Sequence, residues 1–429
     1  MESKRNLYIY FVFCILCIFY AYEFFLRISP SILVDSLLQQ YHVGALGISS
    51  FSSAYFFGYL LMQLPAGFLL DSYGFKKVMS TALLTCVVGT LIFTLSHHLG
   101  WGLLGRFILG CGSAFSFIGA ICFIRTFFPE NAFSFLVSWV ISVGTIAGAV
   151  GQVFAVNIIN YLSWHLTIDG MASWGLILTL AIIMTPNAYL AKPSGEETES
   201  KIKIPTLHTL RNFMALIQIR ELWLNALIGG LLYLPTSVIA ATWGVEFFKD
   251  TFHQNTNSGS IAITTLFIGW AIGGPIFSLL SSKASQYGIE KYLMVVSALI
   301  GAALLLFLFS EKTLSAFMLS GLLFIFGLLS SSQLLIWRFF SQIIEKYEIA
   351  KQRMALAIAL TNLIIMLFIA FADLVLGGMI SFLNHHEIHQ NLHLVFYVLP
   401  GAMICGGCLI LCLPLEASAA LPAKMEIHS

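Results

Sequence analysis

Long apolar stretches alternate with short polar breaks along this chain, at roughly 7–33, 48–70, 78–96, 101–128, 133–159, 164–190, 221–247, 259–282, 291–309, 314–340, 353–382 and 393–413. A helix needs about 20 apolar residues to cross roughly 30 Å of hydrocarbon. Polar, Gly or Pro residues mark every break, and closed helices satisfy backbone hydrogen bonds that lipid cannot. The short alternating strands of a membrane barrel do not occur. The pattern predicts an all-α polytopic membrane protein with twelve transmembrane helices.

One long polar segment interrupts the interior, from Lys192 to Asn212, with Glu196, Glu197, Glu199, Lys201, Lys203, Pro193 and Pro205. That composition suits a linker and divides six helices from six. The expected organisation is a first bundle over 1–191, a cytoplasmic linker over 192–212, and a second bundle with a short tail over 213–429. A decayed repeat agrees. Gly67 to Gly74 has a weak counterpart in Ser278 to Gly288, each between the second and third helices of its half. Pseudo-repeated six-helix bundles hold a substrate site at their interface near mid-membrane and work by rocking about it.

Composition and charge refine this reading. The chain is 59% hydrophobic and 10% charged, with a mean hydropathy of +0.90, so lipid is the solvent for much of it. With both termini inside, most Lys and Arg fall on the cytoplasmic face, including Lys4, Arg5, Lys77, Lys291 and Lys346, while Lys249 and Lys312 fall outside. That asymmetry orients the bundle and suits a plasma membrane, with the short loops favouring a bacterial inner membrane. The first apolar run is too long for a signal peptide and lacks a convincing cleavage site, so it is expected to be a retained helix. A formal net charge of +1 offers no basic surface for nucleic acid. All eight cysteines fall in predicted helices, where small apolar filler is the expected role despite C-x-x-C spacings. His385, His386, His389 and His393 lie in an outer loop and read as polar decoration, so no metal site is predicted.

Charges within the spans carry the candidate chemistry, because each costs on the order of 3 kcal/mol or more in lipid. Glu23 and Arg27 stand four residues apart on one helix face and can pair. Release of that pair by substrate or protonation would be a coupling step, with a fixed structural pair as the rival. Arg106 in the fourth span could reach the level of Arg27, and two guanidiniums short of acid partners would seat a carboxylate or phosphate. Asp373 in the eleventh span is a candidate proton carrier or arginine partner, and Glu246 suits a gate or rim. Tyr22, Gln152 and Asn362 could line a cavity or join helices as polar glue.

The connector after the second span reads GFLLDSYGFKKV, from Gly67 to Val78. It resembles the signature G-x-L-x-D-R-x-G-R-[RK] of the major facilitator superfamily, matched by Gly67, Leu69, Asp71, Gly74 and Lys76, with Ser72 and Phe75 in place of two arginines. The resemblance covers essentially the whole chain. SAYFFGYLLMQLPAGFLLD, from Ser53 to Asp71, is similar to the organic-anion symporter branch and related bacterial permeases, as are LFIGWAIGGP and TWGVEFF. It implies a gate at Gly67, Asp71, Gly74 and Lys76, with Asp71 latching the cytoplasmic side. RFILGCG, from Arg106 to Gly112, resembles a family pattern tied to proton coupling. Ala149 stands where the exporter motif carries proline.

The expectation is therefore a secondary transporter moving a small polar, anionic or zwitterionic metabolite by alternating access, with protons as coupling partner. It would not be an enzyme and would need no cofactor; no G-x-x-x-x-G-K-[ST] loop occurs to hold ATP. An exporter of amphipathic compounds is the rival within transport, and a membrane sensor that kept the fold is the rival outside it. In the sensor case Arg27, Arg106 and Asp373 would face lipid or lie outside any cavity.

Overall fold

A computed structural model describes residues 2–129, 133–186, 215–285, 287, 289–311, 313–347, 351–385 and 392–413. The first group of helices is α1 (Glu2–Ile28), α2 (Pro30–Tyr41), α3 (Ala45–Tyr73), α4 (Phe75–Leu95), α5 (Leu99–Phe127), α6 (Phe133–Tyr161) and α7 (Trp164–Met184). In the second group, α8 (Arg220–Ser237) passes through a π-turn (Val238–Trp243) into α9 (Gly244–Phe252). It is followed by α10 (Thr256–Ser285) and α11 (Glu290–Ser310). Next come α12 (Ala316–Ser330) and α13 (Ile336–Lys346), joined by a 3₁₀ segment, then α14 (Lys351–His385), α15 (Leu392–Phe396) and α16 (Val398–Leu411). Twelve stretches of these helices are long and apolar enough to span a membrane. The expected linker, 192–212, lies outside the described residues, as do His386 and His389.

Two spans differ from the uniform helices that hydropathy predicts. The run 7–33 is broken: α1 stops at Ile28 and α2 begins at Pro30. Proline lacks the N–H needed to continue the first helix but fits the first position of the next. The seventh span holds the π-turn, where the Gly244 N–H bonds to Ile239 O, one residue beyond α-helical spacing. A Cβ on Gly244 would overlap that carbonyl oxygen, so glycine is what the turn permits there.

Backbone contact through glycine holds the helices of each group. On α3 and α5, a Cβ at Gly58 would overlap Phe107 O, and one at Gly110 would overlap Tyr55 O. On α10 and α12, Gly269 stands against Phe324 O and Gly327 against Leu266 O in the same reciprocal way. Small residues let backbones approach this closely where lipid supplies no hydrophobic drive between helices. The same joint occurs between the second and fourth spans of each group. It shows the internal repeat at positions other than the Gly67–Gly74 and Ser278–Gly288 segments.

The two groups meet along α3 with α14 and α6 with α10. The bonds across this seam lie in the halves of these helices remote from Arg5 and Leu413, here called the far side. Ser53 Oγ donates to Ala370 O at 2.8 Å, Trp243 Nε1 to Ser49 Oγ at 3.0 Å, and Thr264 Oγ1 to Ala149 O at 2.7 Å. Phe24 packs edge-on against Phe267 with ring centroids 5.5 Å apart. Lys249 Nζ reaches Asp35 Oδ2 at 2.5 Å and Glu246 Oε2 at 3.0 Å. On the opposite side, nothing approaches the Cβ position of Gly67 within 4 Å.

Candidate substrate and gate sites

Glu23 and Arg27 lie in the last two turns of α1, where i and i+4 side chains share a face. The pair forms as the spacing predicts and is buried, with side-chain exposures of 0% and 9%. Its geometry is lopsided. Arg27 Nε at 2.9 Å and Nη2 at 2.5 Å both donate to Glu23 Oε1, and the Tyr55 hydroxyl donates to the same oxygen. Glu23 Oε2 is buried with no hydrogen-bond partner among the described residues. The Arg27 guanidinium lies 5.2 Å from the Phe24 ring centroid and 5.4 Å from that of Tyr59. A guanidinium among aromatic faces and hydroxyls, with its carboxylate half satisfied, suits exchange of that carboxylate for another anion.

Arg106 arrives at the same level and differs from expectation in its partners. All its described hydrogen bonds go to main-chain carbonyls: Nη1 to Leu26 O at 2.8 Å, Nη2 to Arg27 O at 3.2 Å and Nε to Phe51 O at 3.2 Å. The break after Ile28 leaves the last carbonyls of α1 without helical donors. Arg106, 1% exposed, caps two of them. Gln152 holds the same break from α6: its Nε2 donates to Ser31 Oγ at 2.7 Å and lies 3.4 Å from both Ile28 O and Ala240 O in the π-turn. Both side chains thus hold the ends of broken helices. The Tyr22 hydroxyl lies 2.7 Å from where a Cβ on Gly175 of α7 would sit, so Tyr22 packs inside the first group.

Asp373 is 2% exposed on α14, facing the seam. Its Oδ2 lies 3.2 Å from Thr242 Oγ1 of the π-turn, and that hydroxyl also lies 3.2 Å from Ser52 Oγ of α3. Oδ1 is buried without a partner, and among the described residues no cation pairs with the carboxyl. Asn362, half-buried on the same helix, lies about 16 Å away at ~1.5 Å per residue. Of the gate residues, Gly74 sits at φ 83°, a left-handed value that favours glycine, between α3 and α4. Lys76 Nζ donates to Thr185 O at 2.8 Å, just past the end of α7. Asp71 lies on α3, with its side chain outside the described residues. Sequence reasoning missed Tyr55, Ser52 and Thr242. The signal was the recurring hydroxyls Ser49, Ser52 and Ser53 on one span.

A family model described as Major Facilitator Superfamily matches residues 11–372. The chain belongs to the major facilitator superfamily. Within it, the chain is 22% identical over 270 residues to an uncharacterized transporter, YybO, of Bacillus subtilis, covering 59% of this chain and 61% of that protein. It is 29% identical over 137 residues to GarP of Escherichia coli, a probable galactarate/D-glucarate transporter, covering 30% of this chain and 31% of that one. The matches thus span from three fifths to about a third of these relatives. Among solved structures, a bacterial homolog to the human lysosomal transporter Spinster, inward-facing and unoccupied, superposes with a TM-score of 0.71 at 16% identity over 95% of both chains. The nucleoside transporter NupG gives 0.69 at 14% identity over 93% of this chain and 99% of its own. The fold is therefore that of a facilitator-superfamily transporter with twelve spans, a multi-pass membrane protein.

Proposed function

We propose that this transporter moves a small organic anion, of the hydroxylated carboxylate class, together with protons by alternating access. Arg27 carries the reading: it is buried beside the seam, ringed by aromatic groups, and paired through only one oxygen of Glu23. An incoming carboxylate would take the guanidinium and release Glu23 to be protonated. Asp373 supplies a second buried acid beside the seam. Arg106 and Gln152 position the broken end of α1, while Tyr55 and Tyr59 offer hydroxyls beside Arg27. The sugar-acid assignment of GarP supports a hydroxylated acid as cargo.

The terminal side is taken as the cytoplasmic face of a bacterial inner membrane, on the distribution of Lys and Arg. The structure then corresponds to a state closed outside, with 1–191 and 213–429 as the rocking bundles and Gly67, Asp71, Gly74 and Lys76 as the inner gate. Arg27, Arg106 and Asp373 are buried and do not face lipid, which answers one of the two conditions for a sensor that has lost transport. Thermal unfolding of the purified protein with aldarates, monocarboxylates, amino acids and nucleosides tests the cargo, because a ligand of the native state raises Tm. Stabilisation by hydroxylated acids that disappears in Arg27→Gln is expected. Stabilisation by nucleosides or amphipathic cations alone would overturn the reading.

A further inference from the structure

The second group of helices is parted between α14 and α16. α14 and α16 each pack on α8 and hardly touch each other. Between them lies a groove of about 420 Å³, floored by Leu231 and Leu234 and walled by Phe368 and Ala372 on one side and Gly401 and Cys405 on the other. Leu234 is 3% exposed, so the floor lies beneath the protein surface. Val375 and Val398 at the mouth are exposed. At Gly401 nothing approaches the Cβ position within 4 Å, which keeps the middle of the groove open.

We infer that this groove binds one acyl chain of a phospholipid from the far-side leaflet. Three observations select that occupant. Its lining residues belong to the membrane spans 220–252, 357–383 and 394–411, and those at its mouth, Val375, Met379 and Val398, are apolar and exposed, so bilayer hydrocarbon is the medium there. The lining offers no polar side chain beyond the weakly bonding Cys405 thiol, so water would lack the two to four partners it needs there. Along α14 the lining runs from Phe368 to Met379, about 16 Å at ~1.5 Å per residue, against roughly 15 Å for half the hydrocarbon thickness. A single extended chain fits that length.

Moving a chain from bilayer to groove changes no solvent, so occupancy rests on packing of the chain against floor and walls. No Lys or Arg occurs on α14 beyond Arg353 or anywhere on α15 and α16, and Lys249, on the span that forms the floor, is held by Asp35 and Glu246. The site therefore reads the chain and is indifferent to headgroup charge.

The full-length protein is reconstituted with a trace of phospholipid bearing a mid-chain diazirine, irradiated and mapped by mass spectrometry. Label on half-buried Leu231 and buried Leu234 several-fold above that on buried leucines away from the groove, such as Leu178 and Leu305, is expected. Phosphatidylethanolamine and phosphatidylglycerol probes should give it equally. Gly401→Leu, which fills open space, should lower floor labelling several-fold while leaving label on exposed Leu180 and Ile177 of α7 unchanged. Floor labelling at the buried-core background overturns the site, as does labelling unaffected by Gly401→Leu in protein that elutes as a single folded species. Labelling by a free fatty-acid probe alone would overturn the phospholipid as occupant.

Discussion

At the scale of single residues, the spans contain two kinds of buried charge with opposite consequences. Arg27 and Glu23 support each other, so removing one leaves the other uncompensated, a loss on the order of 3–5 kcal/mol for a buried pair. Arg27→Gln alone is expected to lower Tm sharply, and Glu23→Gln added to it should recover most of the loss; thermal unfolding in one detergent checks both. Among the described residues, only the Thr242 hydroxyl bonds to the Asp373 carboxyl. Asp373→Asn keeps the shape and removes the burden of a buried carboxylate, so Tm should hold or rise. Proton-driven uptake of the wild type should decline as external pH rises, and the Asn variant should flatten that dependence. An unchanged pH profile would remove Asp373 from coupling. Glu23, Arg27 and Asp373 were legible in the sequence because lipid makes a charge conspicuous. The partners of Arg106 were not, since they are main-chain carbonyls exposed by a helix break that hydropathy does not register.

Among elements, the reciprocal glycine joints set how closely α3 approaches α5 and α10 approaches α12. Gly110→Ala and Gly327→Ala would force a methyl into a facing carbonyl, and overpacking of this kind costs typically about 1–3 kcal/mol. Gly67→Ala, with nothing within 4 Å, should leave stability unchanged. Tm values of the three variants test the contrast. Span boundaries were readable to within a few residues for most helices, because a run of apolar residues long enough to cross a bilayer is hard to mistake. The break at Pro30 and the π-turn before Gly244 were not, because each depends on a few backbone bonds inside an otherwise uniform apolar run. The repeat was legible only faintly for a related reason. What the two groups share is contact between glycines and facing carbonyls, which constrains four positions and leaves their neighbours free to diverge.

For the whole molecule, the seam is fastened on the far side by α3 against α14, α6 against α10, and the Lys249 link to Asp35. Lys249→Gln removes an ion pair between the two groups and should shift the population toward opening on that side, read as a longer spin-label distance between α2 and α9. Gly44 and Ser381 offer a direct lock: a Cβ at Gly44 would lie 3.7 Å from Ser381 Oγ, compatible with disulfide reach. Oxidised Gly44→Cys/Ser381→Cys should lose transport and regain it on reduction, while each single variant stays active. Activity under oxidation would mean that this side need not open.

The hydroxyl of Thr242 has a single hydrogen to give and stands at the same distance, 3.2 Å, from two acceptors, Ser52 Oγ and Asp373 Oδ2. An ionised Asp373 claims that hydrogen, because a charged acceptor outcompetes a neutral one. A protonated Asp373 can donate instead, freeing Thr242 to donate to Ser52 across the seam. The proton on the second group thereby reverses the donor at the seam, because with Asp373 ionised it is the Ser52 hydroxyl that donates to Thr242. By reciprocity, whatever the first group does to the Ser52 hydroxyl is felt at Asp373 through the same shared hydrogen.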